Sequence, residues 1–271
     1  MRAALAYEWT RIRTIRSTWW LTGIAVVIGL LIAFGIAFGT AVQISNHPSS
    51  VSSGDRNLLG ALVVSQAAAA GAPCLIGFVL AMIGIFAWGH EYRHGMIRAS
   101  LTALNSRGSL WVAKFLVAGA WSAVVSFVVM LLAGCLGWLF LHDDAVPVFT
   151  GRTWGVAGRE VVYVVLLTWL AMAFTALTRS QAFALVMIFL WPLLVESVIA
   201  AILNLVPGLQ EHSDLVRFLP FQAGYRMISV EGGHHGIFGN PLSSVGGFIV
   251  FGGLGAVLML VSWLLLQRRD A

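Results

Sequence analysis

The chain has 271 residues, of which 59% are hydrophobic and only 10% are charged. Soluble domains carry about 25% charged residues, so a chain this apolar has too little polar surface to face water on every side. The formal net charge is +5, but the basic residues are dispersed around apolar runs and form no basic stripe. The composition therefore indicates a membrane protein and argues against a soluble domain or a nucleic-acid-binding protein.

The first eighteen residues contain apolar side chains at regular intervals with arginines between them. Leu5, Trp9, Ile12 and Ile15 recur at spacings of three and four, which is the period of one face of an α-helix. Such a helix lies in the membrane surface with its apolar face down, although a merely basic juxtamembrane tail is the alternative. We predict an interfacial amphipathic helix over residues 1–18. The residues expected to characterise it are Glu8, Trp9, Arg11, Arg13 and Arg16.

Six apolar runs are long enough to cross a bilayer, which takes about 20 helical residues. They cover residues 19–42, 59–88, 115–141, 156–177, 182–206 and 242–266. Backbone polar groups in lipid must be satisfied within their own segment, so these runs predict helices. The second run is long and contains Pro73, which predicts a kink or a tilt. The predicted fold is an all-α polytopic membrane protein with six transmembrane helices in one domain, residues 1–271.

Loop charge predicts the orientation, because cytoplasmic loops carry an excess of Lys and Arg. With both termini in the cytoplasm, most of the 16 basic residues lie on the inner side and most acidic residues on the outer side. Residues 89–114 then form a cytoplasmic loop. Residues 207–241 form an outer segment too short and too polar to span, which predicts short re-entrant helices. Cys74 and Cys135 both fall in apolar runs and are expected to be buried packing residues.

The cytoplasmic loop opens on a histidine pair that has two interpretations. His90-Glu91-x-x-His94 is the zinc-metalloprotease signature, in which both imidazoles bind the metal and the glutamate activates water. Three features oppose this interpretation. Gly95 favours a helix end directly after the second histidine, Arg93 places a cation near the metal position, and no obvious third ligand follows.

A docking element explains the same residues without a metal. Apolar side chains would anchor the segment in a partner groove while charged ones fix its register. Because its ends continue into the second and third spans, a push on it would move both. A solvated turn that only satisfies the charge bias is the remaining alternative. The segment comprises Glu91, Tyr92, Arg93, His94, Gly95, Met96, Ile97 and Arg98.

The run from Glu91 to Arg98, followed by Ser106-Arg-Gly108 and Lys114, resembles a loop of the permease subunit of type-2 ABC transporters. That family often carries Glu-x-x-x-Gly-Thr-Ile/Leu-Arg there. The run from Glu8 to Trp20 is similar to the family's interfacial entry helix, and Leu219-Pro-Phe-Gln-Ala-Gly224 resembles its outer re-entrant helices. The chain departs from the pattern at Met96, where Thr is usual, and at Asn105, where Pro is common.

The resemblance implies the permease subunit of an exporter in the cell membrane, moving a hydrophobic or amphipathic drug, peptide antibiotic or lipid. It implies a homodimer, because six spans make half a typical pathway, and a separate ABC ATPase subunit that binds ATP and Mg. A P-loop needs Gly-Lys-Ser/Thr, and the one lysine, Lys114, lies between Ala113 and Phe115. We therefore expect no cofactor, metal or catalytic residue in this chain. A non-transporting membrane anchor or sensor paired with an ATPase is a further alternative.

Polar residues inside the spans are candidates for function. Glu196 in the fifth span carries a large desolvation cost, which predicts a role in the translocation path or its gate together with Asn204. The alternative is that Glu196 caps the outer helices or reaches water. We expect the path to run between two copies of the chain, lined by spans one, two and five. Close helix packing, including a homodimer seam, is predicted at Gly35, Gly39, Ala67 and Gly71.

Overall fold

The computed structural model describes residues 1–46, 53–65, 75–96, 107–143, 146–206, 208–230 and 242–268, among which there are helices and no strand. Helix Gln181–Leu205 contains a π-helical segment, and a 3₁₀ helix, Gln210–Phe218, follows it. The helices are α1 Arg2–Thr14, α2 Arg16–Asn46, α3 Ser53–Ser65, α4 Leu75–Arg93, α5 Arg107–Leu141, α6 Gly151–Thr178, α7 Gln181–Leu205, α8 Pro220–Ile228 and α9 Ser244–Arg268.

Six of these helices are long and apolar enough to cross a membrane: α2, α4, α5, α6, α7 and α9. The six-span, all-α fold predicted from the sequence is therefore confirmed. The shortest of the six, α4, has 19 residues, which at the helical rise extends about 28 Å and matches the hydrocarbon core.

The predicted second span was wrong at its beginning. Residues 59–65 belong to α3, a separate helix that packs on α5 and α6, while Pro73 lies outside the described residues. Gly60 of α3 approaches the backbone of Pro147 so closely that a Cβ at position 60 would overlap the Pro147 carbonyl oxygen. Because α4 alone is long enough to cross, the apolar residues of α3 are free to pack against the neighbouring helices.

The centre of the bundle is α4, which packs against α2, α5, α6 and α7. Of its most apolar stretch 72% is buried within the chain, against 17% for α7 and for α9. A span that is surrounded by other helices of the same chain is apolar on all sides. By contrast, α7 and α9 turn most of their apolar side chains away from the bundle. The bundle therefore has a packed centre and two loosely covered flanks.

One side of the bundle collects the ends of several helices. Arg107 at the start of α5 donates through Nη1 to the carbonyl oxygens of Leu266 and Gln267 near the end of α9, at 3.3 and 3.4 Å. On the same side, Gly89 of α4 touches the side chain of Gln181 at the start of α7. Arg93, Arg107 and Arg179, for which the sequence predicted an inner location, thus lie near this end of the bundle.

The first helix is shorter than predicted and packs differently. It ends at Thr14, Ile15 is extended, and Arg16 already belongs to α2. Its buried stripe is Ala4, Glu8 and Ile12, whereas Trp9 is 44% exposed. The predicted limit at residue 18 was therefore wrong, because the backbone turns at Ile15 into the first span.

The prediction that Cys135 is buried was also wrong, since its side chain is exposed on α5. An apolar run does not reveal which of its faces turns toward lipid. Cys74 lies outside the described residues.

Candidate functional site

Four charged side chains meet where α1, α4 and α5 come together. We call Glu8, Arg11, Glu91 and Lys114 the ion-pair ring. Lys114 Nζ donates to Glu8 Oε1 at 2.7 Å and also to Glu91 Oε1. Arg11 Nη1 donates to Glu91 Oε1 at 3.0 Å, and its Nε lies 3.1 Å from Glu8 Oε2. Each carboxylate therefore contacts both cations, and the ring closes through three helices.

Three of the four ionisable members of the ring are buried, and the Arg11 side chain is 14% exposed. Glu8 and Glu91 are each 3% exposed and Lys114 is 1% exposed. Lys114 Nζ also donates to the Ala87 carbonyl oxygen at 3.3 Å and lies 5.2 Å from the centroid of the Trp88 ring. Buried ions are tolerated only when they are paired and hydrogen-bonded. Two carboxylates and two cations balance here, so α1 is bound to the bundle by charge as well as by packing.

The helix that carries Glu91 ends directly above the ring. Gly95 has φ +63, and the Met96 N–H donates to the Glu91 carbonyl oxygen at 2.9 Å while the Gly95 N–H reaches the Tyr92 carbonyl oxygen at 3.4 Å. This is the Schellman arrangement, in which a left-handed residue, usually glycine, closes the helix. The prediction of a helix end at Gly95 is confirmed. The residues before it, up to Arg93, form the last turn of α4.

The structure divides the predicted docking segment into a buried base and an exposed turn. Arg93, His94, Gly95 and Met96 are exposed, and we call them the α4 turn. Glu91, which we expected to fix the register of a partner, is instead buried in the ring. Glu91 is buried because it lies on the face of α4 that packs toward α1 and α5. Ile97 and Arg98 lie outside the described residues.

Aromatic contacts hold the base of the turn from another direction. Tyr92 stacks on Trp88 with 5.9 Å between ring centroids, and the Arg179 guanidinium lies 5.8 Å from the Tyr92 ring. Arg179 sits between α6 and α7 in the left-handed conformation. The α4 turn is thereby connected to α6 and α7 as well as to α1 and α5.

The geometry does not favour the zinc interpretation of His90-Glu91-x-x-His94. A metalloprotease needs the glutamate free to activate water, whereas Glu91 binds Lys114 and Arg11. His90 stacks on Phe86 with 5.1 Å between ring centroids. Within the described ranges, no three His, Cys, Asp or Glu side chains are grouped so as to hold a metal.

The predicted interfacial residues form two groups. Glu8 and Arg11 belong to the ring, whereas Trp9, Arg13 and Arg16 are exposed. Trp9 and Trp19 both pack on Trp121 of α5, at centroid distances of 5.8 and 5.4 Å. The Trp19 indole N–H also donates to the Arg13 carbonyl oxygen at 2.8 Å, which satisfies the end of α1. These contacts orient α1 across the start of α2 and α5.

Glu196 lies at the other end of the bundle from the ring. Its Oε1 accepts the Phe221 N–H and its Oε2 accepts the Gln222 N–H, both at 2.9 Å. These are the first free amide donors of α8, because Pro220 has none. Of the two interpretations of Glu196, the geometry shows the helix cap, on α8.

The remaining predicted residues do not converge on either location. The Asn204 side chain donates to the Ala200 carbonyl oxygen of its own helix at 2.7 Å. Gly35 and Gly39 face open space within the chain, since a Cβ at either position would meet nothing within 4 Å. They make no close contact with the described helices of one copy. Ala67 and Gly71 lie outside the described residues.

The fold and these residues define a helical membrane protein whose buried charges bind a short terminal helix to the exposed end of a central span. The family described as ABC-2 family transporter protein matches residues 3–271, nearly the whole chain, and the chain belongs to that family. It is the membrane-spanning permease component of an ABC transporter. No curated protein matches the chain.

Proposed function

We propose that two copies of this chain form the permease of an ATP-driven exporter in the cell membrane, with both termini in the cytoplasm. A separate ABC ATPase binds the α4 turn from the cytoplasmic side. The cargo is hydrophobic or amphipathic, of the kind represented by drugs, peptide antibiotics and lipids. Membership of the ABC-2 family supports the transporter class, while the direction, the cargo and the partner are our inference.

The observation that carries this proposal is an exposed turn on a buried base. Met96 is 52% exposed while Glu91, five residues earlier, is 3% exposed and bound by cations from α1 and α5. An exposed methionine flanked by Arg93 and His94 provides an apolar anchor with charges around it. A force applied to the turn would reach three helices through one side chain, because Glu91 contacts Arg11 and Lys114.

The chain's one lysine supports placing ATP on a partner subunit. A P-loop lysine must follow glycine and reach nucleotide phosphates. Lys114 follows Ala113 and is buried with its ammonium bound to Glu8 and Glu91. Nucleotide chemistry and its Mg therefore belong to the ATPase in this proposal.

The flanks of the bundle indicate where a second copy and the path would lie. Only 28% of the apolar stretch of α2 and 17% of that of α7 is buried within the chain. Both helices have apolar surface available for a second copy, for cargo and for membrane lipid. The expectation that span two also lines the path is revised for residues 75–93, because α4 is mostly covered by its neighbours. We place the path between α2 and α7 of two copies.

The test is to co-express the chain with ABC ATPase subunits from the same genome and compare variants of the α4 turn. Arg93→Glu and Met96→Asp should each lower ATPase co-purification by roughly tenfold or more, because they place charge in the centre of a docking contact. ATP-dependent uptake of a lipophilic dye into inside-out vesicles should fall in parallel. Neither substitution touches the ring, so membrane insertion should be unchanged.

Arg268→Glu is the matched control, because Arg268 is an exposed arginine at the end of α9, outside the α4 turn. It should leave both co-purification and uptake at the wild-type level. Normal ATPase binding by Arg93→Glu and Met96→Asp together would refute the docking role. ATPase binding without transport of any cargo would favour the anchor or sensor interpretation instead.

A further inference from the structure

The fifth span changes its helical hydrogen bonding near its middle. Residues Trp191–Glu196 of α7 are π-helical, and Pro192 lies inside that segment. Proline removes one backbone donor, and π segments interrupt the regular ladder, which makes them points of bending. Such segments are also frequent at functional sites. The segment ends at Glu196, so the carboxylate sits where α7 is least constrained by its own backbone.

Glu196 is bound to α8 through both of its oxygens. The carboxylate is fully buried, and the Phe221 and Gln222 N–H groups donate to Oε1 and Oε2 at 2.9 Å each. A buried carboxylate without partners is strongly disfavoured, and so are buried amides without acceptors. The contact therefore avoids both the cost of an unpaired carboxylate and the cost of unpaired amides. It connects residues that are 25 and 26 positions apart in the chain.

The helix that Glu196 caps is seated inside the bundle. Phe221 lies against Phe78 of α4 and Phe251 of α9, at centroid distances of 6.4 and 5.8 Å. Gly247 of α9 approaches the Ala223 carbonyl so closely that a Cβ there would overlap its oxygen. Met227 is 2% exposed. Thus α8 fills the space between α4, α6 and α9 at the end of the bundle remote from the ring.

The two partners differ in how firmly they are held. The apolar stretch of α7 is only 17% buried, whereas most of α8 packs against other helices. We propose that Glu196 is a positioning residue that makes α8 move together with the π segment of α7, so that α8, which closes the outer end of the bundle beside the α7 wall of the path, shifts when α7 bends. This inference rests on the proposed transport function and adds the element that closes the outer side.

A labelling experiment tests the seal without the ATPase. Met227→Cys is placed in a chain in which Cys74 and Cys135 are serine, and vesicles are treated with a membrane-impermeant maleimide. Labelling should be slow with Glu196 present and about tenfold faster with Glu196→Ala, because two buried hydrogen bonds that seat α8 are lost. Glu196→Gln, which keeps one carbonyl acceptor and the side-chain volume, should give an intermediate rate. Equal rates in all three would overturn the proposal.

Glu211→Gln is the matched control, because Glu211 is an exposed glutamate in the adjoining 3₁₀ helix. It removes the same charge without touching α8 and should label as slowly as the parent chain. Faster labelling in Glu211→Gln as well would show a general loosening of the outer segment and would also overturn the specific role of Glu196.

A transport experiment separates concerted movement from a purely structural cap. In complexes with the ATPase, Glu196→Ala should lower cargo uptake about tenfold while ATPase co-purification stays unchanged. Bridging Glu196→Cys to Gln222→Cys with a short bifunctional thiol reagent should restore uptake, because the two elements are again joined. If bridging abolishes uptake, the two elements must separate during the cycle and the proposal is wrong. A wild-type chain that binds no ATPase would count against the proposed function, while the labelling rates would still decide the role of Glu196.

Discussion

Individual charges determine where α1 and the α4 turn are held. The ring contains no excess charge, and each of its carboxylates contacts both Arg11 and Lys114. Glu91 uses one oxygen for both cations, while its Oε2 is buried and accepts no hydrogen bond in the described part of the chain. Lys114 is thus the member that bridges α1 to α4 from within α5. Removing it would leave two buried carboxylates with Arg11 as their remaining cation in the ring.

Lys114→Met should therefore destabilise the protein by about 3–5 kcal/mol, the usual result of breaking a buried ion pair by removing one partner. Thermal unfolding in detergent measures this as a lowered midpoint. Arg107→Met is the control, because Arg107 lies at the start of the same helix but binds carbonyl oxygens of α9, and it should cost much less. The exchange Glu8→Lys with Lys114→Glu keeps the net charge and should recover part of the loss. A Lys114→Met variant as stable as Arg107→Met would show that the ring does not hold the helices.

At this scale the sequence identified residues better than roles. Glu8, Arg11 and Glu91 were singled out, but for a membrane surface and a docking groove. Lys114 was noted because its neighbours, Ala113 and Phe115, exclude a P-loop. The ring contacts between different helices join residues 23 to 106 positions apart, and helical periodicity gives the faces of a helix but not its neighbours. The available signal was that Glu8 and Glu91 are acidic residues within strongly basic inner segments.

The elements follow the apolar periodicity of the chain where they are long and fail to follow it where helices meet. All six spans were predicted because each has enough apolar residues to cross. The boundary between α3 and α4 was missed because both helices are apolar. Only the packing of α3 on α5 and α6 shows that it is a separate helix. The π segment of α7 could not be predicted beyond the presence of Pro192, because an apolar pattern does not distinguish π from α hydrogen bonding.

The outward face of α2 gives a prediction about assembly. Gly35 and Gly39 lie on an exposed face together with Leu31 and Phe38, and no side chain of the described ranges covers them. Small residues spaced by four allow close approach of a second helix in a membrane. We expect Gly35→Leu with Gly39→Leu to shift the protein from dimer to monomer in lipid nanodiscs, measured by single-particle mass.

Gly23→Leu is the control for that experiment, since Gly23 is also open and exposed on α2 but lies three turns nearer its beginning. It should leave the dimer intact. A double leucine variant that remains fully dimeric would place the contact between copies elsewhere, with α7 and α9 as the other exposed flanks.

The whole molecule connects two ends through its central helix. At one end the α4 turn is exposed and its base is held by the ring and by Arg179. At the other end Phe78 of α4 packs on Phe221 of α8, next to the amides that Glu196 binds. A displacement of the α4 turn would therefore reach α8 along one buried span. Family membership defines the class of transporter. Apolar surfaces accept many ligands, so the apolar residues of this chain do not specify one cargo.

In the proposed complex, an ABC ATPase contacts the α4 turn on the cytoplasmic side. The most direct measurement is a photo-cross-linking amino acid placed at Met96 in cells that express both subunits, with Trp20 as the control position because it is 73% exposed on α2. Position 96 should yield a covalent adduct with the ATPase and position 20 should not. No ATPase adduct from position 96, or modification of Met96→Cys by an impermeant reagent added outside the cell, would contradict it.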